Sequence, residues 1–185
     1  MKAAVLAVQG AFIEHEKILE SLGVPCIELR KKSDLEKSFD ILVLPGGEST
    51  VQGKLLRELD MFNILKERIS GGIKTLATCA GMILLAEKIQ NDSCCHFATM
   101  PVTVLRNAYG RQLGSFYAEE EFSTVGKIPM TFIRAPYIQS VGEGVEILAK
   151  TGGNIVAAKY KNQTALSFHP ELNDDLSLYK WWLES

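Results

Sequence analysis

The chain has 185 residues, 46% of them hydrophobic, which suits one domain over residues 1–185 with a substantial core. Its 20 basic and 22 acidic residues leave a net charge of −2 and form no long basic run, which argues against nucleic acid or an anionic membrane as the main partner. Met1-Lys2 precedes only six apolar residues, Ala3 to Val8, too few for a signal-peptide core or a membrane span, and the expectation is a cytoplasmic protein. The four cysteines, Cys26, Cys79, Cys94 and Cys95, follow no metal-ligand spacing, so reduced thiols fit better than a disulfide framework or a metal site.

Ala3 to Val8 is a continuous apolar run, as a strand covered on both faces requires. Phe12, Leu19 and Leu22 follow at one-face helical spacing, with Gly23 placed to end that helix. Val24 to Leu29 reads as the next strand, its Pro25 near the start where a missing N–H is tolerated. Ser33 and Glu36 have capping-box spacing for a short helix, and Asp40 to Leu44 is a third apolar strand. Strands alternating with helical segments predict a parallel sheet with helices on its faces.

The third strand ends in Pro45-Gly46-Gly47-Glu48-Ser49-Thr50, where two glycines let the backbone turn sharply with its N–H groups uncovered. Ser49 with Gln52 has the spacing to cap one helix, whose Leu55, Leu56, Leu59, Phe62, Leu65 and Ile69 form a core stripe. Gly72 to Thr78 then predicts a buried strand running into a helix over Met82–Lys88, with Cys79 at the bend. From about Cys94 the runs shorten: Val102–Leu105, Ser115–Ala118, Met130–Ile133 and Glu146–Ala149, separated by glycines and prolines, predict added antiparallel strands. Ile155–Tyr160 and Gln163–Phe168 around Lys161-Asn162 read as a hairpin that leads into His169-Pro170-Glu171.

Chemistry concentrates at the strand–helix corner. Such a corner lifts its middle side chain clear of the sheet and sets it beside the unpaired N–H groups of a helix start, whose positive potential favours an anion. Cys79 is thus either a buried filler of a small apolar site or a nucleophile, and the second reading needs a histidine from elsewhere in the chain. His169 is the candidate. Pro170 biases it to an extended conformation in which residues two apart share a face, so that the Glu171 carboxylate can orient the ring while its other nitrogen takes the thiol proton. The Gly47 and Ala80 amides sit at the same sheet edge and can bind a developing oxyanion. His15 and His96 read as surface or turn residues, His15 a candidate for a contact surface.

Pro45-Gly46-Gly47, Thr78-Cys79-Ala80-Gly81 and His169-Pro170-Glu171, in this order on a chain of this size, resemble the class I (triad) glutamine amidotransferases. Leu6–Phe12, Gly46–Thr50, Arg106–Gln112, Phe132–Pro136 and Phe168–Leu172 narrow the resemblance to the glutaminase subunits of pyridoxal 5′-phosphate synthases, over nearly the whole chain. The fold implied is α/β and flavodoxin-like: an open, mostly parallel central sheet flanked by helices, with antiparallel strands added in the second half. The sequence departs from the family pattern at Tyr109, where Phe is frequent, in Phe97–Pro101, which replaces a glycine-rich stretch, and in a short end after Leu172.

By that resemblance, Cys79 attacks the side-chain amide of L-glutamine, His169 serves as general base and then acid, and Glu171 orients His169. Gly47 and Ala80 form the oxyanion hole, while Gly47, Glu48, Ser49, Arg106, Ile133 and Arg134 hold the amino-acid end of glutamine. An arginine suits that task because a guanidinium can grip a carboxylate through two parallel hydrogen bonds. The resemblance implies no metal and no cofactor, since pyridoxal 5′-phosphate is the product of the assembly. The implied partner is the synthase subunit of a hetero-oligomeric complex, which receives the ammonia, touches the Gln9-Gly10 edge and completes the oxyanion hole near Gly46-Gly47. An amidotransferase serving a different synthase and a non-catalytic scaffold subunit are the alternatives. The scaffold has no need of an intact cysteine, histidine and glutamate.

Overall fold

The computed structural model describes residues 1–90, 92–106 and 114–185. In chain order the first half holds β1 (Ala3–Leu6), α1 (Phe12–Ser21), β2 (Cys26–Leu29), β3 (Ile41–Leu44), α2 (Ser49–Glu58), α3 (Phe62–Ser70), β4 (Lys74–Thr78), α4 (Ala80–Leu85) and β5 (Ala86–Ile89). The second half holds β6 (Met100–Leu105), β7 (Ser115–Phe122), β8 (Gly126–Ile133), β9 (Tyr137–Val141), β10 (Glu146–Thr151), β11 (Asn154–Tyr160), β12 (Gln163–Leu166) and α5 (Ser177–Glu184).

The main sheet runs β2-β1-β3-β4-β12-β11-β9-β6-β5, with β10 also paired to β11. From β2 through β12 every pairing is parallel, whereas β11 pairs antiparallel with β12, β10 and β9. This is the expected α/β plan, a parallel core with antiparallel additions. β7 and β8 form a separate hairpin packed over the sheet.

Alternation along the strands divides the interior into two cores. Ala4, Leu6, Leu42 and Leu44 face one way, against Leu56 of α2, Leu65 and Ile69 of α3, and the buried α4. Ala3, Val5, Ile41 and Val43 face the other, against Leu19 of α1, Phe122, Met130 and Phe132 of the hairpin, and Leu178, Tyr179 and Trp182 of α5. A strand covered on both faces has no polar positions, which explains the unbroken apolar runs of β1 and β3.

Several local expectations are corrected. The single helix expected beyond Ser49 is two, α2 and α3, broken where Asp60 adopts a left-handed φ of 54°, a conformation an aspartate tolerates. Ser49 caps nothing, its Oγ having no partner, and Gln52 instead reaches back to the carbonyls of Gln9 (3.0 Å) and Pro45 (3.2 Å). The helix after Cys79 stops at Leu85, because Ala86 turns extended and starts β5. Residues 32–36 form a 3-10 turn in which Asp34 Oδ2 accepts from the Arg30 (3.0 Å) and Lys31 (3.1 Å) amides, so Asp34 caps it and Ser33 does not. β5 and β9 had no counterpart in the sequence reading. Phe97, in the divergent 97–101 stretch, is fully buried and stacks on Phe62 at 5.0 Å.

Candidate active site

The strand–helix corner at Cys79 forms because β4 runs directly into α4, with one residue between them. Cys79 takes a left-handed φ of 48° with ψ −101°, a backbone strain of roughly 1–3 kcal/mol that the surroundings must enforce. The Cys79 amide donates to the Leu166 carbonyl at 2.7 Å, so the bend hangs from the end of β12. On its other side Gly81 lies so close to the Leu44 carbonyl that any Cβ there would overlap it. Cys79 as a whole is 8% exposed.

His169 arrives from β12 across the hairpin: its amide donates to the Thr131 carbonyl at 2.8 Å, and its own carbonyl accepts from Asn173 Nδ2 at 3.2 Å. Its Nδ1 lies 2.6 Å from Glu171 Oε1, and the ring lines the cleft beside Cys79, whose sulfur interacts with it electrostatically. With Nδ1 committed to the carboxylate, Nε2 is the nitrogen left for sulfur. The extended alternation expected from the sequence is not the cause of this contact. Pro170–Leu172 is a 3-10 turn, and it is this turn that swings Glu171 back under the ring. Gly46 closes the other side, since a Cβ there would collide with the His169 ring.

Burial alone would lower the His169 pKa, but its interactions with Cys79 and Glu171 push it up to about 10. Burial would likewise raise the Glu171 carboxyl, yet the adjoining His15, then the bond and charge of His169, hold it below the ordinary range. The arrangement therefore keeps an imidazolium beside the sulfur at neutral pH.

A cleft of about 400 Å³ opens above these groups, within the roughly 300–1,000 Å³ typical of small-ligand sites. Cys79 and His169 form its floor, with Gly46, Gly47, Glu48 and Ser49 along one wall and Arg106, Ile133 and Arg134 along another. Ala80, the first residue of α4, is buried next to Cys79. Ser49 Oγ is buried without a partner, and Arg134 Nη2 stands 3.7 Å from Glu48 Oε1 across the mouth. Arg106 Nη1 is 3.4 Å from Asp92 Oδ2. Asn107 to Gln112, including Tyr109, lie outside the described residues.

A family profile described as the SNO glutamine amidotransferase family matches residues 5–185. The chain belongs to this family. It is 66% identical over 185 residues, all of this chain and 93% of the relative, to "Pyridoxal 5′-phosphate synthase subunit PdxT" of Desulfitobacterium hafniense strain Y51. It is 54% identical over 186 residues, covering 99% and 96% of the two chains, to the protein of the same name in Streptococcus pneumoniae. Among solved structures, one titled "Crystal structure of glutamine amidotransferase" superposes with a TM-score of 0.92 at 41% identity, covering 98% of this chain and 97% of that one. PurLQS from Thermotoga maritima, at 14% identity and TM-score 0.72, shares the fold.

This SNO-family chain also places in the site residues that the sequence reading did not assign there. Gln9 borders the cleft and its Oε1 accepts the Glu48 amide at 2.9 Å, bracing the glycine turn. Gly10, at φ 106°, lies against the Gly46 carbonyl with no room for a Cβ, and Ala11 donates to that carbonyl at 3.0 Å. His15, expected at the surface, is fully buried behind Glu171, and His96 is 7% exposed. The signal for His15 was present: Phe12, His15, Leu19 and Leu22 share one helical stripe. Among the described residues no cluster of His, Cys, Asp and Glu could hold a metal, and no helix is long and apolar enough to cross a membrane.

Proposed function

We propose that this chain is a cytoplasmic glutaminase, one amidotransferase domain over residues 1–185, that passes ammonia from L-glutamine to the synthase subunit of a pyridoxal 5′-phosphate synthase. The observation that carries the reading is Cys79 beside His169 in the lining of a polar cleft, with His169 Nδ1 2.6 Å from Glu171 Oε1, in a chain of the SNO family. An arginine at the rim, Arg106 or Arg134, takes the substrate carboxylate, and Glu48 takes its amino group. The sulfur lone pair then forms an S–C bond to the side-chain amide carbon, and the Gly47 and Ala80 amides receive the oxyanion. The imidazolium of His169 protonates the amide nitrogen, the C–N bond breaks, and ammonia leaves. Neutral His169 next takes a proton from water, whose oxygen attacks the thioester. The C–S bond breaks to release glutamate, and sulfur and imidazolium are restored. The sum is glutamine plus water giving glutamate plus ammonia.

Ammonia free in solution near pH 7 is mostly protonated and non-nucleophilic, so handing it over inside a complex makes chemical sense. Glutamate release by the complex is expected to fall by about four orders of magnitude or more in Cys79→Ala, with a glutamyl adduct on Cys79 detectable by mass in the wild type. Wild-type turnover in that variant overturns the mechanism. An isolated subunit as fast as the complex overturns the dependence on the partner.

A further inference from the structure

Three buried polar side chains continue the row behind Glu171, and the proposed reaction does not use them. His15 of α1 and Tyr179 of α5 are fully buried, as is Thr78 at the end of β4. Tyr179 Oη lies 2.7 Å from His15 Nδ1, and His15 Nε2 lies 3.2 Å from Thr78 Oγ1 and 3.5 Å from Glu171 Oε2. That carboxylate oxygen has no hydrogen-bond partner, and the His15 nitrogen faces it only at ion-pair distance, while its twin binds His169. A buried carboxylate oxygen left unpaired is costly, so the ring facing it matters for how the carboxylate sits.

We propose that His15, locked by Tyr179 and Thr78, is a positioning residue for the triad: its Nε2 edge packs against the second oxygen of Glu171, so that the first stays on His169. The inference rests on the reading of Cys79, His169 and Glu171 as the reacting group.

The proton positions follow from the partners. Tyr179 keeps its phenolic proton, because burial and then the Glu171 charge raise its pKa well above the ordinary value. It therefore donates to His15 Nδ1, which makes Nδ1 an acceptor and puts the His15 proton on Nε2. Burial lowers the His15 pKa against the pull of Glu171, with His169 also lowering it and Glu14 raising it, so the ring is neutral. A neutral ring that turns its Nε2–H edge to Thr78 Oγ1 and Glu171 Oε2 offers the carboxylate a favourable dipole without cancelling its charge. With the Cys79 interaction, that charge helps keep His169 protonated beside the sulfur.

The test measures glutamate release by variants assembled with the synthase partner. His15→Ala is expected to lower kcat by about 10–100-fold, the size usual for groups that orient a reacting ligand, with KM for glutamine within about twofold of wild type. The alkaline limb of kcat/KM, where His169 loses its proton, moves to lower pH, because a loosened Glu171 holds that proton less well. His15→Gln, whose amide N–H can replace Nε2–H, recovers part of both effects, and Tyr179→Phe shows both in weaker form. The last two keep most of the side-chain volume, so they carry the test if the alanine variant does not melt cooperatively. Unchanged kcat and limb in His15→Gln and Tyr179→Phe alike, or a change in KM alone, overturns the positioning role. Cys79→Ala in the same assay separates the two readings. If it retains turnover, the triad reading itself is wrong; if it is inactive while the His15 variants are normal, only the His15 role is.

Discussion

His169 is charged at neutral pH because two partners compete successfully with its burial, and this makes it a stability group as well as a proton donor. A histidine raised from 6.5 to about 10 adds stability that is complete below pH 6.5 and disappears as pH climbs through about 10. Glu171 acts in the opposite sense: held below its ordinary 4.5, it contributes above that pH and is lost as acid carries the solution down through its folded value. Melting temperature followed from neutral pH to about pH 10 is therefore expected to fall more steeply in wild type than in His169→Gln, by several degrees over the range. Equal slopes would show that the raised value does not stabilise the fold. Local patterns brought Cys79, His169 and Glu171 forward: a strand–helix bend for Cys79, which the structure has, and an extended alternation for His169 and Glu171, which it replaces with a 3-10 turn. His15 was not recognised as buried. Its neighbours Glu14 and Glu16 are charged, and only the helical stripe through Phe12 and Leu19 marks it as interior.

Among the elements, the six-residue α4 bears the tightest constraint. It is too short to be stable alone and is held by being wholly buried, with Gly81 pressed on the Leu44 carbonyl of β3. Because the obstructing atom belongs to the backbone, Gly81→Ala is expected to cost roughly 1–3 kcal/mol in chemical unfolding and to reduce turnover by displacing Cys79. Wild-type stability and rate in that variant would mean the contact is looser than described. The parallel core strands were readable as apolar runs between turns. The end of α4 was not, because Ala86-Glu87-Lys88 has good helical propensity and becomes β5 only by pairing with β6, a contact no local pattern reports. The split between α2 and α3 was hidden for a similar reason. The apolar stripe continues in register across Leu59–Met61, and only a left-handed aspartate breaks the chain there.

Across the molecule, the site lies where the two cores meet. α4, on one core, follows directly on Cys79, and the hairpin and α5, on the other, hold His169 and back Glu171. Trp182, fully buried among Ala3, Val5 and Leu19, anchors α5 against the sheet. Trp182→Ala is expected to lose about 3–5 kcal/mol of stability, read as a lower denaturation midpoint, and a loss below about 1 kcal/mol would show that α5 is not an integral layer. The first helix and the last, joined through His15 and Tyr179, enclose the back of the triad from opposite ends of the chain. Because the two contacts behind Glu171 come from α1 and α5, the carboxylate is enclosed only when both helices are docked on the sheet.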